Sequence, residues 1–403
     1  MKTACSVPLV SFRTRTSHPS RPTIRPMAPY PPSAYTLGAG PVLAPKDMDL
    51  VALEASARGA LGEMAYAYYS GGAEEGRLLT ENTSAWQRYH LVPKVLVDVS
   101  EISTTTTVLG EEVMVPVIIA PTAVQRLASL DGELATARAA ALSGTVMTLS
   151  SLSSTPLQDV ASAGQGAPQW MQIYILKDRA RTKAMVEQVA ESGYKALVLT
   201  VDAPVSGLRS HEIRGGVHLP DDLELPNLAN ASAARAQRDG FMAVVSQEFD
   251  PSITFDDVSW LAGLTDLPVL VKGVARGSDA VSSLSAGASG IVVSNHGGRQ
   301  LDDAPATATV LPSVVEAVAG CAEVFVDGGV RRPSDVMKAL SLGANAVLIG
   351  RPVLWALAAG GQDGVTGLLE WFTHELRRTM ALCGVRSIDE IDASFTQRVP
   401  TST

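Results

Sequence analysis

A closed (β/α)8 barrel is the fold class this sequence predicts, and three observations predict it. Eight short β-branched runs alternate with Ala-rich helical stretches from about residue 115 onward. Their starts lie 31, 22, 28, 72, 22, 33 and 23 residues apart, against the roughly 20–35 residues that a strand, a helix and two loops require. The runs are near-continuously apolar, as strands covered on both faces are. Eight such units argue for closure into a barrel over an open doubly wound sheet.

Taken in order, the expected strands are 115–121, 146–151, 168–174, 196–202, 268–273, 290–297, 323–329 and 346–351. A helical prelude over 46–69 and a meander around 103–115 precede them. The 72-residue spacing after the fourth strand marks a long loop over about 204–252, a lid or substrate loop at the active-site end. That loop is acidic and only modestly apolar, unlike a membrane-inserting segment. Residues 1–46 are compositionally separate, with Lys2, Arg13, Arg15, Arg21, Arg25 and Lys46 and no acid before Asp47. They read as a transit peptide, a disordered extension, or a stretch upstream of true initiation at Met27. Residues 47–395 form the barrel domain and 396–403 a C-terminal tail. That tail does not carry the S-K-L peroxisomal address.

Bulk composition excludes several classes. The net charge of −9 disfavours a nucleic-acid partner, and the apolar content of 46% suits a globular protein with a sizeable core. No apolar run reaches the length of a membrane helix; the stretch 346–359 carries Arg351. Cys5, Cys321 and Cys383 are spaced as neither a disulfide framework nor a metal site. No two histidines lie at ligand spacing, so no metal is expected.

The chemistry gathers at the C-terminal ends of the strands, where barrels place their active sites. Strand by strand these ends supply Pro121, Thr122 and Ala123; Ser150 and Leu152; Gln172 and Tyr174; Thr200 and Asp202, followed by Arg209; and Lys272. The sixth strand gives Ser294, His296 and Arg299; the seventh Asp327, Gly328, Gly329 and Arg331; the eighth Gly350 and Arg351. Glycine-rich turns with two arginines after the last two strands read as a phosphate cradle. Arg209 and Arg299 offer planar forks for a carboxylate. Tyr68 and Tyr174 offer hydroxyls. His296 is the natural general base, and barrel geometry pairs it with Asp202, whose carboxylate would orient the ring and favour its protonated form.

These residues resemble the FMN-dependent (S)-2-hydroxy-acid oxidases and dehydrogenases over about residues 47–395. The most specific match is Ser294-Asn-His-Gly-Gly-Arg-Gln-Leu-Asp302, supported in order by Leu199-Thr-Val-Asp202, Leu270-Val-Lys-Gly273 and Asp327-Gly-Gly-Val-Arg-Arg332. The resemblance implies FMN as cofactor and His296 as the base, with Asp202 as its partner. It implies substrate contacts from Arg209, Arg299, Tyr68 and Tyr174, with Lys272 beside the flavin ring. It places Thr122, Ala123, Ser150, Gln172, Thr200 and Ser294 on the flavin, and Asp327, Gly329, Arg331, Gly350 and Arg351 at the ribityl and phosphate end. Electrons would pass to oxygen, giving hydrogen peroxide, and the assembly would be a homo-oligomer, a tetramer in this family. Leu152 stands where short-chain glycolate oxidases carry a tryptophan, and Leu176 replaces an aromatic. Both are expected to widen the pocket toward lactate or a larger acid. Alternatives are a dehydrogenase using a quinone or another acceptor, a different FMN barrel such as type-2 isopentenyl diphosphate isomerase, and a non-enzymatic flavin binder.

Overall fold

The computed structural model describes residues 48–209, 220, 223–228 and 247–399. The expected N-terminal extension lies outside them. Three helices, Leu50–Ala60, Glu63–Ser70 and Arg77–Ala85, form the prelude. Three short strands follow: β1 Tyr89–Leu91, β2 Thr106–Val108 and β3 Glu111–Val113. The last two pair as an antiparallel hairpin where the sequence predicts a meander.

Eight parallel strands then close into a barrel. They are β4 Val117–Ile119, β5 Met147–Ser150, β6 Gln169–Ile173, β7 Ala196–Thr200, β8 Val269–Val274, β9 Gly290–Val293, β10 Glu323–Val326 and β11 Ala346–Ile349. Every strand pairs with its neighbours in chain order, and β11 closes the ring on β4 through Val347–Val117 and Ile349–Ile119. A helix follows each strand, from Gly132–Leu142 after β4 to the long Arg351–Cys383 after β11, which bends at Gly360 and Gly361. The expected tail begins with a strand, β12 Thr396–Arg398, paired antiparallel with β1.

The barrel wall separates two apolar populations by strict alternation. Ile118, Val146, Trp170, Val198, Leu270, Val292, Phe325 and Leu348 point inward and form one buried cluster. Trp170 and Phe325 meet there edge to face, with ring centroids 5.3 Å apart. Val108 and Val113 join the same cluster, so the β2–β3 hairpin plugs the N-terminal end of the lumen. Met147, Met171, Leu197, Leu199, Val271, Ile291, Val326 and Val347 belong instead to the core shared with the helical shell. Filling the lower lumen with apolar side chains leaves only the C-terminal mouth for chemistry.

Trp170 is fully buried in this plug. Trp170→Ala is expected to cost about 3–5 kcal/mol, read as a lowered urea midpoint with an unchanged slope. A loss under about 1 kcal/mol would mean that the lumen is not the packed core described.

Candidate active site

The alternation that buries the lower layer also places the polar layer. Two residues beyond the inward Trp170, Val198, Leu270, Val292, Phe325 and Leu348 stand Gln172, Thr200, Lys272, Ser294, Asp327 and Gly350, and four beyond Ile118 and Val146 stand Thr122 and Ser150. They sit at the C-terminal ends of β4 to β11. One open cavity covers this ring, with about 1210 Å³ of space out to the solvent mouth.

The cavity wall includes nearly all the residues singled out from the sequence. Pro121, Thr122, Ala123, Ser150, Leu152, Gln172, Tyr174 and Thr200 line one part, and Lys272, Asp327, Gly328, Gly329, Arg331, Gly350 and Arg351 another. Tyr68, Arg209, His296 and Arg299 complete it. Asp202 and Ser294 stand one layer behind, bonded to His296 and Lys272. Leu176 does not line the cavity either and is buried. Barrel strand β6 ends at Ile173; the Leu176 N–H donates to Thr182 Oγ1, and its backbone pairs with Phe249. Phe249 instead enters the cavity wall and stacks on Tyr174, with centroids 4.0 Å apart. Phe249 thus brings an aromatic ring from a distant segment to the wall that Leu176 does not reach, and the widening expected from Leu176 does not follow.

His296 Nδ1 lies 2.9 Å from Asp202 Oδ1. Burial is the largest influence on the imidazole and lowers its pKa below the usual 6.5, with Lys272 and Arg209 acting in the same direction against Asp202. The carboxylate raises the imidazole pKa, as the pairing predicts, but burial outweighs it, so the ring is oriented without being held cationic. Burial would raise the Asp202 carboxyl, but His296 and Lys272 outweigh it and hold it below the usual range. A neutral imidazole with Nδ1–H donated to a carboxylate leaves Nε2 as a free acceptor. His296 holds a left-handed φ of 58°, strained for a residue with a Cβ. Gly273, at φ +112°, makes room for the pair: a Cβ there would stand 2.6 Å from Asp202 Cβ. The β8–β9 register shifts across this glycine.

Lys272 is the second fixed point. Its Nζ lies 2.8 Å from Ser294 Oγ and 3.1 Å from Asp327 Oδ2. Burial alone would lower the ammonium pKa; Asp327 and Asp202 overcome this and raise it. A permanent cation thus sits in the polar ring. Burial raises the Tyr174 hydroxyl strongly, so it remains a proton-bearing donor.

The segment from Ser294 to Asp302 ties the mouth to the prelude. Asn295 exchanges two side-chain amide bonds with Asn82, at 3.0 and 2.7 Å. Gln300 Nε2 donates to the carbonyls of Asp202 and Val205. The Asp302 carboxylate accepts from the Arg77 and Leu78 N–H groups, capping the third prelude helix. Arg299 Nη1 donates to the Tyr68 and Gly71 carbonyls, and its guanidinium lies over the Tyr68 ring.

Arg351 completes this end with bonds to the carbonyls of Tyr69, Gly297 and Gly71. Burial, then Arg299 and Arg331, lower its pKa to about 9. Clustered guanidiniums bonded to neutral carbonyls call for an anion. Gly329, at φ +79°, lets the turn approach the prelude, since a Cβ would stand 2.0 Å from the Asn82 carbonyl oxygen. In the ring itself, the Gln172 Nε2 donor and Asp327 Oδ1 acceptor are buried without a partner among the described residues. A flat group that offers acceptors and donors over the polar ring and ends in a phosphate at Arg331 and Arg351 fits this set. Fold and site define a barrel flavoprotein of the flavin-mononucleotide type.

Comparison with known proteins agrees. The FMN-dependent dehydrogenase family model matches residues 57–398. An L-lactate oxidase from Nostoc sp. is 48% identical over 355 residues, covering 86% of this chain and 97% of that protein. 2-Hydroxyacid oxidase 1 of Homo sapiens is 44% identical, covering 86% of this chain and 95% of its own length. A mandelate oxidase crystallised with (S)-4-hydroxymandelic acid superposes with a TM-score of 0.82 at 40% identity, over 87% of this chain and 98% of that one. The chain belongs to the family of FMN-dependent 2-hydroxy-acid oxidases and dehydrogenases, and FMN is its cofactor.

Several cavity residues escaped the sequence reading: Tyr69, Ala203, Val205, Ser206, Phe249, Gln300, Val330 and Leu354. Gln300 and Val330 lie inside strings already singled out, and Tyr69 adjoins Tyr68. Phe249 has no local signal, because nothing in the sequence brings it to Tyr174. Among the described residues no acidic, histidine or cysteine group is arranged to hold a metal, and no helix is long and apolar enough to cross a membrane.

Arg351→Met is expected to weaken FMN binding roughly tenfold to a hundredfold, since a hydrogen bond to a charged group contributes about 1.5–3 kcal/mol. Titration of the cofactor-free protein by flavin fluorescence quenching measures this. Unchanged affinity would remove Arg351 from the phosphate end.

Proposed function

We propose that the protein oxidises an (S)-2-hydroxy acid to the 2-oxo acid, with lactate or a larger acid preferred over glycolate. Oxygen takes the two electrons and two protons to give hydrogen peroxide. The observation that carries this reading is the 2.9 Å Asp202–His296 pair facing a cavity that also holds Arg209, Arg299 and Lys272.

FMN, when bound, supplies the two-electron chemistry. The residues of this chain do the rest. Arg209 and Arg299 present forks to the substrate carboxylate, which fixes the acid in one orientation. Tyr68 and Tyr174 donate to the remaining polar atoms of the substrate. His296 Nε2 takes the proton released in the oxidation, and the Asp202 carboxylate stabilises the imidazolium so formed. The Lys272 ammonium holds positive charge in the ring where negative charge accumulates. Leu152 leaves more room than an aromatic would, which supports a side chain larger than hydrogen. Family membership supports oxygen as acceptor and a tetrameric assembly. The Arg–His–Asp carboxylate set argues against an isomerase of isopentenyl diphosphate, which needs no such set.

The purified protein is expected to be yellow, to bleach anaerobically with (S)-lactate, and to yield peroxide in air. His296→Ala should keep FMN and lose flavin reduction by roughly a hundredfold or more; retained reduction rates would remove His296 from the role of base. Reduction should fall as pH drops through the lowered His296 pKa, below 6.5, where the ring gains a proton and can no longer accept one. Asp202 raises that pKa, so Asp202→Asn should move this acid limb to lower pH while slowing the step. An acid limb that stays in place or moves up would contradict the pairing.

A further inference from the structure

We propose that Phe249 is a specificity-determining residue, an aromatic wall that limits how bulky the side chain of the 2-hydroxy acid can be. The proposal rests on the 2-hydroxy-acid reading and names its substrate class: short aliphatic acids of lactate size upward, with aryl acids disfavoured.

Tyr174, at the mouth of β6, and Phe249 both line the cavity. Their rings lie at 23° with centroids 4.0 Å apart, so the phenyl group covers one face of the tyrosine. Phe249 is held there by its neighbours on both sides. The Lys177 N–H donates to the Glu248 carbonyl at 2.9 Å, and the Asp250 N–H to the Ile175 carbonyl at 3.0 Å. Leu176 and Phe249 therefore pair across a short antiparallel bridge. Glu248 is ion-paired with Arg181, and Asp250 with Arg179 at 2.8 Å. Arg179 also holds Asp257, in the first turn of the next helix, at 2.6 Å.

Both arginines open the helix Arg179–Glu191, which follows directly from Tyr174. Stacked ring and tyrosine thus share one rigid support, although some 75 residues of sequence separate them. A ring fixed in this way cannot swing aside for a large ligand. Leu152 opens the apolar side of the same cavity, and Phe249 bounds it.

The test uses the oxidised, FMN-loaded protein as wild type, Phe249→Leu and Phe249→Ala. Pyruvate and phenylglyoxylate are titrated by the change in flavin absorbance, and kcat/KM is measured for (S)-lactate and (S)-mandelate. The wild type should favour the aliphatic ligand of each pair. Phe249→Ala should shift the Kd ratio and the kcat/KM ratio toward the aryl ligand by tenfold or more, with Phe249→Leu in between. A structural role alone would weaken both ligands together, and ratios within twofold of wild type in variants that retain FMN would overturn the proposal. Binding without flavin reduction in the wild type would sink the oxidation reading alone, because the Kd ratios need no turnover.

Discussion

Side chains on a barrel strand alternate between the lumen and the helical shell, and this alternation sets where every functional group of the protein stands. Ile118, Trp170, Val198, Leu270, Val292, Phe325 and Leu348 pack the lumen. The next inward positions are then at the mouth, where Gln172, Thr200, Lys272 and Asp327 line the cavity and Ser294 stands behind Lys272. A one-residue slip in any strand would send its polar group into the apolar shell and a leucine or valine into the cavity. The tightly packed core is therefore also the device that aims the chemistry.

Charge at the mouth is arranged in two regions. Lys272, Asp327, Asp202 and His296 form one network, in which the two carboxylates keep the ammonium charged while burial keeps the imidazole neutral. Arg331 and Arg351 form the other: burial lowers both guanidinium pKa values, and Arg299 and Arg331 lower that of Arg351 further. An anion bound there would relieve the repulsion at Arg351, which would link cofactor binding to the stability of the mouth. The prelude buttresses the mouth: its carbonyls at Tyr68, Tyr69 and Gly71 hold Arg299 and Arg351 in place.

Much of this was legible in the sequence because the barrel repeats a local rule. Run length, spacing and two-residue alternation locate the eight strand ends, and at those ends lie twenty of the residues expected in or beside the site. Leu176 and Phe249 were not legible for one physical reason. Their partnership crosses the long connection after β7, where no period links Phe249 to Tyr174 and only the pairing of 175–177 with 248–250 creates the contact. The protonation of His296 was equally hidden. Adjacency to Asp202 suggests a raised pKa, whereas the outcome depends on burial and on Lys272 and Arg209. The plug of the lumen by Val108 and Val113 is likewise a tertiary fact, invisible in a two-strand meander.

The central claim is that one cavity holds FMN over the polar ring and a 2-hydroxy acid between His296 and the arginines. A crystal structure of the FMN-loaded protein with pyruvate bound tests it most directly. The account predicts phosphate density at Arg331 and Arg351, the flavin ring against Lys272, and the pyruvate carboxylate on Arg209 and Arg299, with its keto oxygen at His296 Nε2. Pyruvate bound away from His296, or the flavin ring away from Lys272, would contradict it.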